Sequence, residues 1–484
     1  MSKTTILYKD IAPGAAEDAE MSAQYVDGGS NLPALPFGSE TDKLAVLELN
    51  AWGLDGSYDL YSGQEYALWS ADLSGADGSF DRAPVITATL DRQYSSTGMT
   101  LKFNEATGEY CSAVNIKWCL DDTVKADVDF YPDSVEYFCE QLVQNYNKVV
   151  ITLLKTHLPY RRAKLSQVMF GRLRTFGMDK IRNAAITNEM DLLTLELPAS
   201  TLRWTLDSRE NLEYMFQIKQ PMEVRNRDDL LGVFYVEDSN RIGNGLYDIH
   251  AHNAFGVLEE SDFAGGVYTN KSAQALFLEI VGADFDVFFE LPDTTLTGAI
   301  LPCTRRQAAQ QVLFAWGACA STDGVEGIRV FSFPNSPVSI DETRTFQGPS
   351  VKTDSVVTQV VVTAHSYTES ANGSVEIGGV TYKDTQTTYT VVNPNVTATE
   401  KQKIKKITDA TLVSPAIGQA VAQRVYDYYA RRNTHSSKIV WRGERLGDCV
   451  TLPNSWESTN TGNIVSMDIA LSNTVVASCK SIGV

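Results

Sequence analysis

Residues Asn183 to Gly256 read NAAITNEMDLLTLELPASTLRWTLDSRENLEYMFQIKQPMEVRNRDDLLGVFYVEDSNRIGNGLYDIHAHNAFG. Leu193, Leu195 and Leu197 alternate with Thr194 and Glu196, and this period of two predicts a half-buried strand. LGVFYVED (Leu231 to Asp238) predicts a second strand and LYDIHAH (Leu246 to His252) a third. Between them, Asn244-Gly245 supplies the positive φ angles of a tight hairpin. The strands are antiparallel and polar on one face. A sheet of that kind closes into a barrel or lines a ring. His250 and His252 are two apart, so they share a face. Two histidines are too few to hold a metal without a further Cys or Glu at ligand spacing, so no metal is expected.

The bulk properties narrow the function classes. A chain of 484 residues predicts three or four domains. Its formal net charge is −19, which argues against affinity for nucleic acid, since that needs Lys and Arg to displace counterions. No apolar run of 18 residues occurs, so no membrane insertion is expected. The start, MSKTTILYKDIAPGAAEDAE, lacks the basic and long apolar parts of a secretory signal, which predicts accumulation in the cytoplasm of the cell that makes it. Seven cysteines with no C-x-x-C pair predict reduced, mostly buried thiols.

Residues 1–36, rich in Ala, Gly, Asp and Pro, read as an arm with no packed element. Residues 37–176 read as a separate all-β domain of short strands spaced by turns, a sandwich or jelly roll. Its aromatics Trp52, Trp69, Tyr94 and Tyr131 are candidate glycan contacts, because aromatic faces stack on sugar rings; core or interface packing is the competing reading. SGADGSFD (Ser74 to Asp81) offers oxygen ligands for calcium, or is a solvated turn. Residues 177–265 hold the strands quoted above. Residues 266–340 carry α/β signals: KSAQALFLEIV is an amphipathic helix and GIRVFSF a strand. Between these lies a second helix, with Thr304 and Gln307 forming a capping box and Ala308, Val312, Trp316 and Cys319 on one stripe. Residues 341–413 are strand-rich. Residues 414–484 open with a helix capped by Ser414, with Pro415 at its first position, and close with a second set of strands.

The order LTLELP, GVFYVED, hairpin, YDIHAHNAFGVLEESDFAGGVY resembles the first barrel of phage baseplate-hub (tail-tip, tail-associated) proteins, in particular prophage tail proteins of Gram-positive bacteria. The resemblance continues through GAILPCTRRQAAQQVLFAWGACAS and ends with LGDCVTL and GNIVSMDIAL, covering residues 181 to the C-terminus. No single motif carries it; the order of all of them does. The resemblance implies a mainly β fold with an α/β insert. Residues 177–265 and 414–484 are then two tube-like antiparallel β-barrels of a hub fold, joined by 266–340 and 341–413. It further implies a homotrimer, whose six similar faces adapt a six-fold tail tube to a three-fold spike or tip. The implied partners are the tail tube or a distal tail protein, a spike or tape-measure protein, and other baseplate proteins. DNA passes through the lumen without specific binding, and the location is the virion. MTLKFNEATGEYCSAVNIKW and NKVVITLLKTHLPYRRAKLSQVMFG resemble discoidin-like, galactose-binding-like jelly rolls, which implies sugar or calcium loops at one end of residues 37–176. No sugar-binding triad matches residue by residue.

Nothing in the chain reads as catalytic. There is no G-x-S-x-G, H-E-x-x-H or Walker loop, and His157, His250, His252, His365 and His435 are scattered. No cofactor or catalytic residue is expected. Lytic domains of hub relatives are C-terminal extensions, and the residues here offer no counterpart. The alternatives to a structural hub are a carbohydrate-binding adhesin of the tail tip and a cell-wall hydrolase.

Overall fold

The computed structural model describes residues 4–11, 15–29, 44–45, 60–61, 68–103, 107–208, 216–243, 245–346, 348–396, 402–454 and 458–483. The fold is mainly β with a minority of helix. It divides into two compact units: residues 8–174 with 213–215, and residues 1–7, 175–212 and 216–484.

The first unit is built on two very long strands, Val85–Lys102 and Glu136–Thr156, paired antiparallel. Cys111–Leu120, Thr123–Phe130, Ala19–Gln24 and Gln167–Met169 complete a six-stranded antiparallel sheet. A three-stranded sheet of Val26–Gly29, Leu68–Ser70 and Lys164–Leu165 shares its core. Alternation explains the packing: Val114, Ile116 and Trp118 point inward from one strand, and Val149, Ile151 and Leu153 from its neighbour. Full burial of an aliphatic side chain contributes about 1.5–3 kcal/mol, so this stripe outweighs any single surface contact.

The second unit carries a thirteen-stranded sheet. Ten of its strands matter for function. The first five are β1 (Ile181–Glu189), β2 (Thr201–Asp207), β3 (Pro221–Asn226), β4 (Asp229–Ile242) and β5 (Leu246–His252). The others are β6 (Ser350–Thr353), β7 (Asn433–Val440), β8 (Cys449–Pro453), β9 (Thr459–Ala470) and β10 (Val476–Gly483). Helices α1 (Ala273–Val281), α2 (Arg305–Trp316) and α3 (Gly418–Ala430) pack a separate apolar core with the strand Gln359–Glu369. Helix α2 begins as its sequence predicts. The Thr304 hydroxyl accepts from the Gln307 backbone N–H, and the Gln307 side chain accepts from the Thr304 N–H. Its stripe is buried at Ala308, Val312 and Leu313.

Three expectations are corrected. Residues 193–197 are not a strand; they form turns between β1 and β2. The Asp191 carboxylate accepts from the backbone N–H groups of Leu193, Leu195 and Glu196, and Thr194 sits at φ +54°. Those bonds take the donors a strand ladder would need. Residues 1–36 are not an unpacked arm throughout. Thr4–Ile11 is a strand beside β3, with Thr4 and Ile6 fully buried, and its partner lies more than 200 residues away in the chain. Helix α3 starts at Gly418, later than Ser414; the Ser414 carbonyl instead closes a turn by accepting from Ile417 and Gly418. The two strand sets join edge to edge in one sheet. The expected hairpin residue Asn244 lies outside the described residues; Ile242 and Leu246 do pair across the turn.

Candidate functional site

The two sets have the same wiring. In the first, β1 pairs β2, β2 pairs β5, β5 pairs β4 and β4 pairs β3, all antiparallel. In the second, β6 pairs β7, β7 pairs β10, β10 pairs β9 and β9 pairs β8, again all antiparallel. Across the sheet this gives the order β4-β5-β2-β1 followed by β9-β10-β7-β6. By position in each set, the order is fourth, fifth, second, first, and then the same again.

The irregularities repeat too. Strand β4 slips register between Val236 and Asp238, and β9 slips between Ile464 and Ser466. Each slip marks a hand-over. The Val236 N–H donates to the Gln220 carbonyl, and the Ile464 N–H donates to the Asp448 carbonyl. Val236 is therefore the counterpart of Ile464. Following the pairing outward, Leu202 corresponds to His435, Trp204 to Ser437, and Ile186 to Val351.

The sets meet where β1 lies antiparallel to β9. Ala185 faces Ala470, Ile186 faces Ile469, Thr187 faces Asp468, Asn188 faces Met467 and Glu189 faces Ser466. Thus the first strand of one set joins the C-terminal half of the fourth strand of the other. Asp323 braces this seam from below. It is fully buried; it accepts from the Leu446 N–H at 3.0 Å and faces the Asn188 amide at 3.4 Å. Burial pushes its carboxyl pKa up to about 6, against the pull of the Leu446 N–H, Arg445 and Arg329.

Two strand edges lack the partner that this wiring provides elsewhere. Among the described residues strand β6 pairs only β7. Strand β4 pairs β3 over residues 229–235 and β5 over 235–242, so one edge of 237–242 has no strand on it among the described residues. All of 237–242 and all of 350–353 are exposed. Ile242 is 49% exposed and Val351 40%, high values for apolar residues in strands.

The sheet has one apolar and one polar face, as the alternation predicts. Ile186, Leu202, Trp204, Ile249, Met467, Ile469 and Ala477 are buried. Trp204 packs between Phe176 and Phe216, at centroid distances of 5.4 and 5.6 Å. The polar face mixes signs: Arg203, Lys438 and Lys480 stand among Asp238, Asp248 and Asp468. The chain's excess acidity is therefore not concentrated there.

His250 is on this face, 3.5 Å from Asp238 and 3.4 Å from Asp248. His252 is buried, 3.6 Å from Glu260 and 3.8 Å from Glu237; burial pulls its pKa down and the two glutamates oppose that. Among the described residues no group of three His, Cys, Asp or Glu is arranged to hold a metal ion.

The candidate glycan residues are not gathered into one site. Trp52 lies outside the described residues. Trp69 is in the three-stranded sheet and Tyr94 in the six-stranded one, both buried, each with an arginine over its ring. Tyr131 follows the strand Thr123–Phe130 and is 69% exposed. In the Ser74 to Asp81 stretch, the Asp77 carboxylate accepts from the Ser79 N–H and hydroxyl, which holds its pKa below the usual range. The stretch is solvated only in part: Asp77 is exposed, whereas Ser74 is buried and its hydroxyl accepts from the Thr156 hydroxyl at 2.7 Å.

The sequence reading missed the seam, the Asp323 brace and both open edges. The only local signal for them is the shared slip at Val236 and Ile464, and a slip leaves no residue pattern behind.

No protein-family model matches the sequence, and no curated protein sequence matches it. Among solved structures, a tail protein from Neisseria meningitidis MC58 is 10% identical, covering 64% of this chain and 93% of its own, with a TM-score of 0.48. The 43 kDa tail protein of prophage MuSo2 from Shewanella oneidensis is 10% identical, covering 64% and 95%, at 0.45. The prophage tail protein gp18 from Listeria monocytogenes EGD-e is 11% identical, covering 63% and 91%, at 0.42. Similarity at this level says nothing further about this chain.

Proposed function

We propose that this chain is a structural hub subunit of a phage-type tail tip, acting as a homotrimeric ring. The observation that carries this is the repeated wiring: two sets of identical strand order, laid side by side in one sheet. A subunit that already contains two equivalent sets presents six of them in three copies, so a three-fold object offers a six-fold rim. The link to tails comes from the resemblance of residues 181 onward to baseplate-hub proteins. In this reading the rim meets the tail tube or a distal tail protein, and the opposite end meets a spike or tape-measure protein. The polar face of the sheet lines the lumen, and its mixed charges give passing DNA no continuous basic track to bind.

The first unit, read as a galactose-binding-like jelly roll, braces the hub against other baseplate proteins. An adhesin role has little to stand on, since of its described candidate aromatics only Tyr131 presents a free ring.

Mass measurement of the purified chain tests the ring. Three copies are expected; a chain that stays single at every concentration, or a stable dimer, overturns the reading. Deletion of residues 8–174 tests the bracing role: lost tail assembly is expected, whereas intact tails that fail to adsorb favour envelope contact.

A further inference from the structure

The seam inside the chain specifies a seam between chains. Strand β1 is the first strand of its set, and it pairs with the C-terminal half of β9, the fourth strand of the other set. The same relation has one more place to occur. The first strand of the second set is β6, and the fourth strand of the first set is β4. Among the described residues both are open within one chain, at opposite ends of the repeated order. We propose that β6 of one copy adds antiparallel to residues 238–242 of β4 in the next copy, reproducing the β1–β9 junction. This rests on the ring reading above and names the surface that closes the ring.

The register follows from the shared slip with no free choice. Val236 corresponds to Ile464, so Ile242 corresponds to Ala470 and Arg241 to Ile469. Ser350 corresponds to Ala185 and Val351 to Ile186. Carrying Ala185–Ala470 and Ile186–Ile469 across gives Ser350 opposite Ile242 and Val351 opposite Arg241. Lys352 then faces Asn240, and Thr353 faces Ser239. The chemistry fits this placement. Lys352 comes diagonal to Asp238 on the polar face, within reach of a long side chain. Val351, apolar and exposed in the lone chain, takes the place of Ile186, which is fully buried at the inner seam. Backbone groups left open along both edges gain partners, which is how one chain adds a strand to another's sheet.

The test is cross-linking in the full-length chain. Val351→Cys with Arg241→Cys places two thiols opposite each other, with Cβ atoms about 4.5–5.5 Å apart. Mild oxidation is expected to give a covalent ladder ending at three chains. Lys352→Cys with Arg241→Cys puts the thiols on opposite faces and is expected to give none. The native cysteines add little background, since all but Cys303 are buried. A trimer by mass in which the first pair does not cross-link overturns this junction and leaves the ring standing; a chain that never trimerises overturns both. Val351→Asp gives a readout that needs no new thiol. Its site is exposed in the lone chain, so folding is retained, and the concentration for half-assembly is expected to rise at least ten-fold. No change in that concentration overturns the proposal.

Discussion

The two strand sets share every pairing and almost no side chains. Where the first has Trp204, the second has Ser437; Leu202 is matched by His435, Tyr247 by Ala477 and Ile249 by Cys479. The first set packs large aromatics under its sheet, whereas the second buries a histidine and a serine. Hydrogen-bond wiring and the position of one slip are thus kept while the packing beneath is rebuilt. Strand order is fixed by connectivity and backbone pairing, and several core fillings of suitable volume satisfy it. That also explains why no internal repeat is visible in the sequence.

The largest test of the contrast is Trp204→Ala against Ser437→Ala. The first empties the space between Phe176 and Phe216 and should cost about 3–5 kcal/mol in urea unfolding. The second removes a hydroxyl with no hydrogen-bond partner among the described residues and should cost less than about 1 kcal/mol. Equal losses would mean the second set has a packing requirement of its own.

His435→Leu gives the second set the residue of the first. Neither ring nitrogen of His435 has a hydrogen-bond partner among the described residues, and burial pulls its pKa below the usual histidine value. The folded state therefore resists the proton that the unfolded state accepts, and stability falls as pH drops below about 6.5. The leucine variant should gain stability, by roughly 1–2 kcal/mol near pH 5 and less at pH 8, read from melting temperatures across that range. A gain that does not depend on pH would remove the histidine charge from the account.

Asp323 belongs to both sets, through Asn188 and the Leu446 N–H. Its folded pKa of about 6 lies above the ordinary carboxyl value. The folded form thus holds a proton that the unfolded form has lost, and stability falls as pH rises from about 4 to about 6. Asp323→Asn should flatten that slope and raise the melting temperature slightly at pH 7.5, with no gain at pH 4. A variant less stable at pH 7.5 would show that the charge is needed to join the sets. Thr304→Ala, outside both sets, loses a helix cap worth about 1 kcal/mol and should leave assembly unchanged.

What could be read from the sequence was local. The α2 cap lies within four residues, and LGVFYVED and LYDIHAH carry their alternation on their own. LTLELP shows the limit of that method: its alternation is as clean, yet one carboxylate at Asp191 takes three backbone donors and turns the chain. Thr4–Ile11 was missed because its fit depends on a strand beyond residue 220. The candidate site was legible only as two strand-rich stretches. Which edges remain open depends on pairing across hundreds of residues, and composition does not record that.

The seam also has a consequence for biosynthesis. Strand β1 emerges from the ribosome early, but β9, which covers it, follows nearly 280 residues later. Throughout that interval the nascent chain displays a bare β-ribbon flank, the feature that invites wrong partners on a crowded polysome. Neighbouring nascent copies carry the same flank, so it stays open to mispairing until β9 has been made.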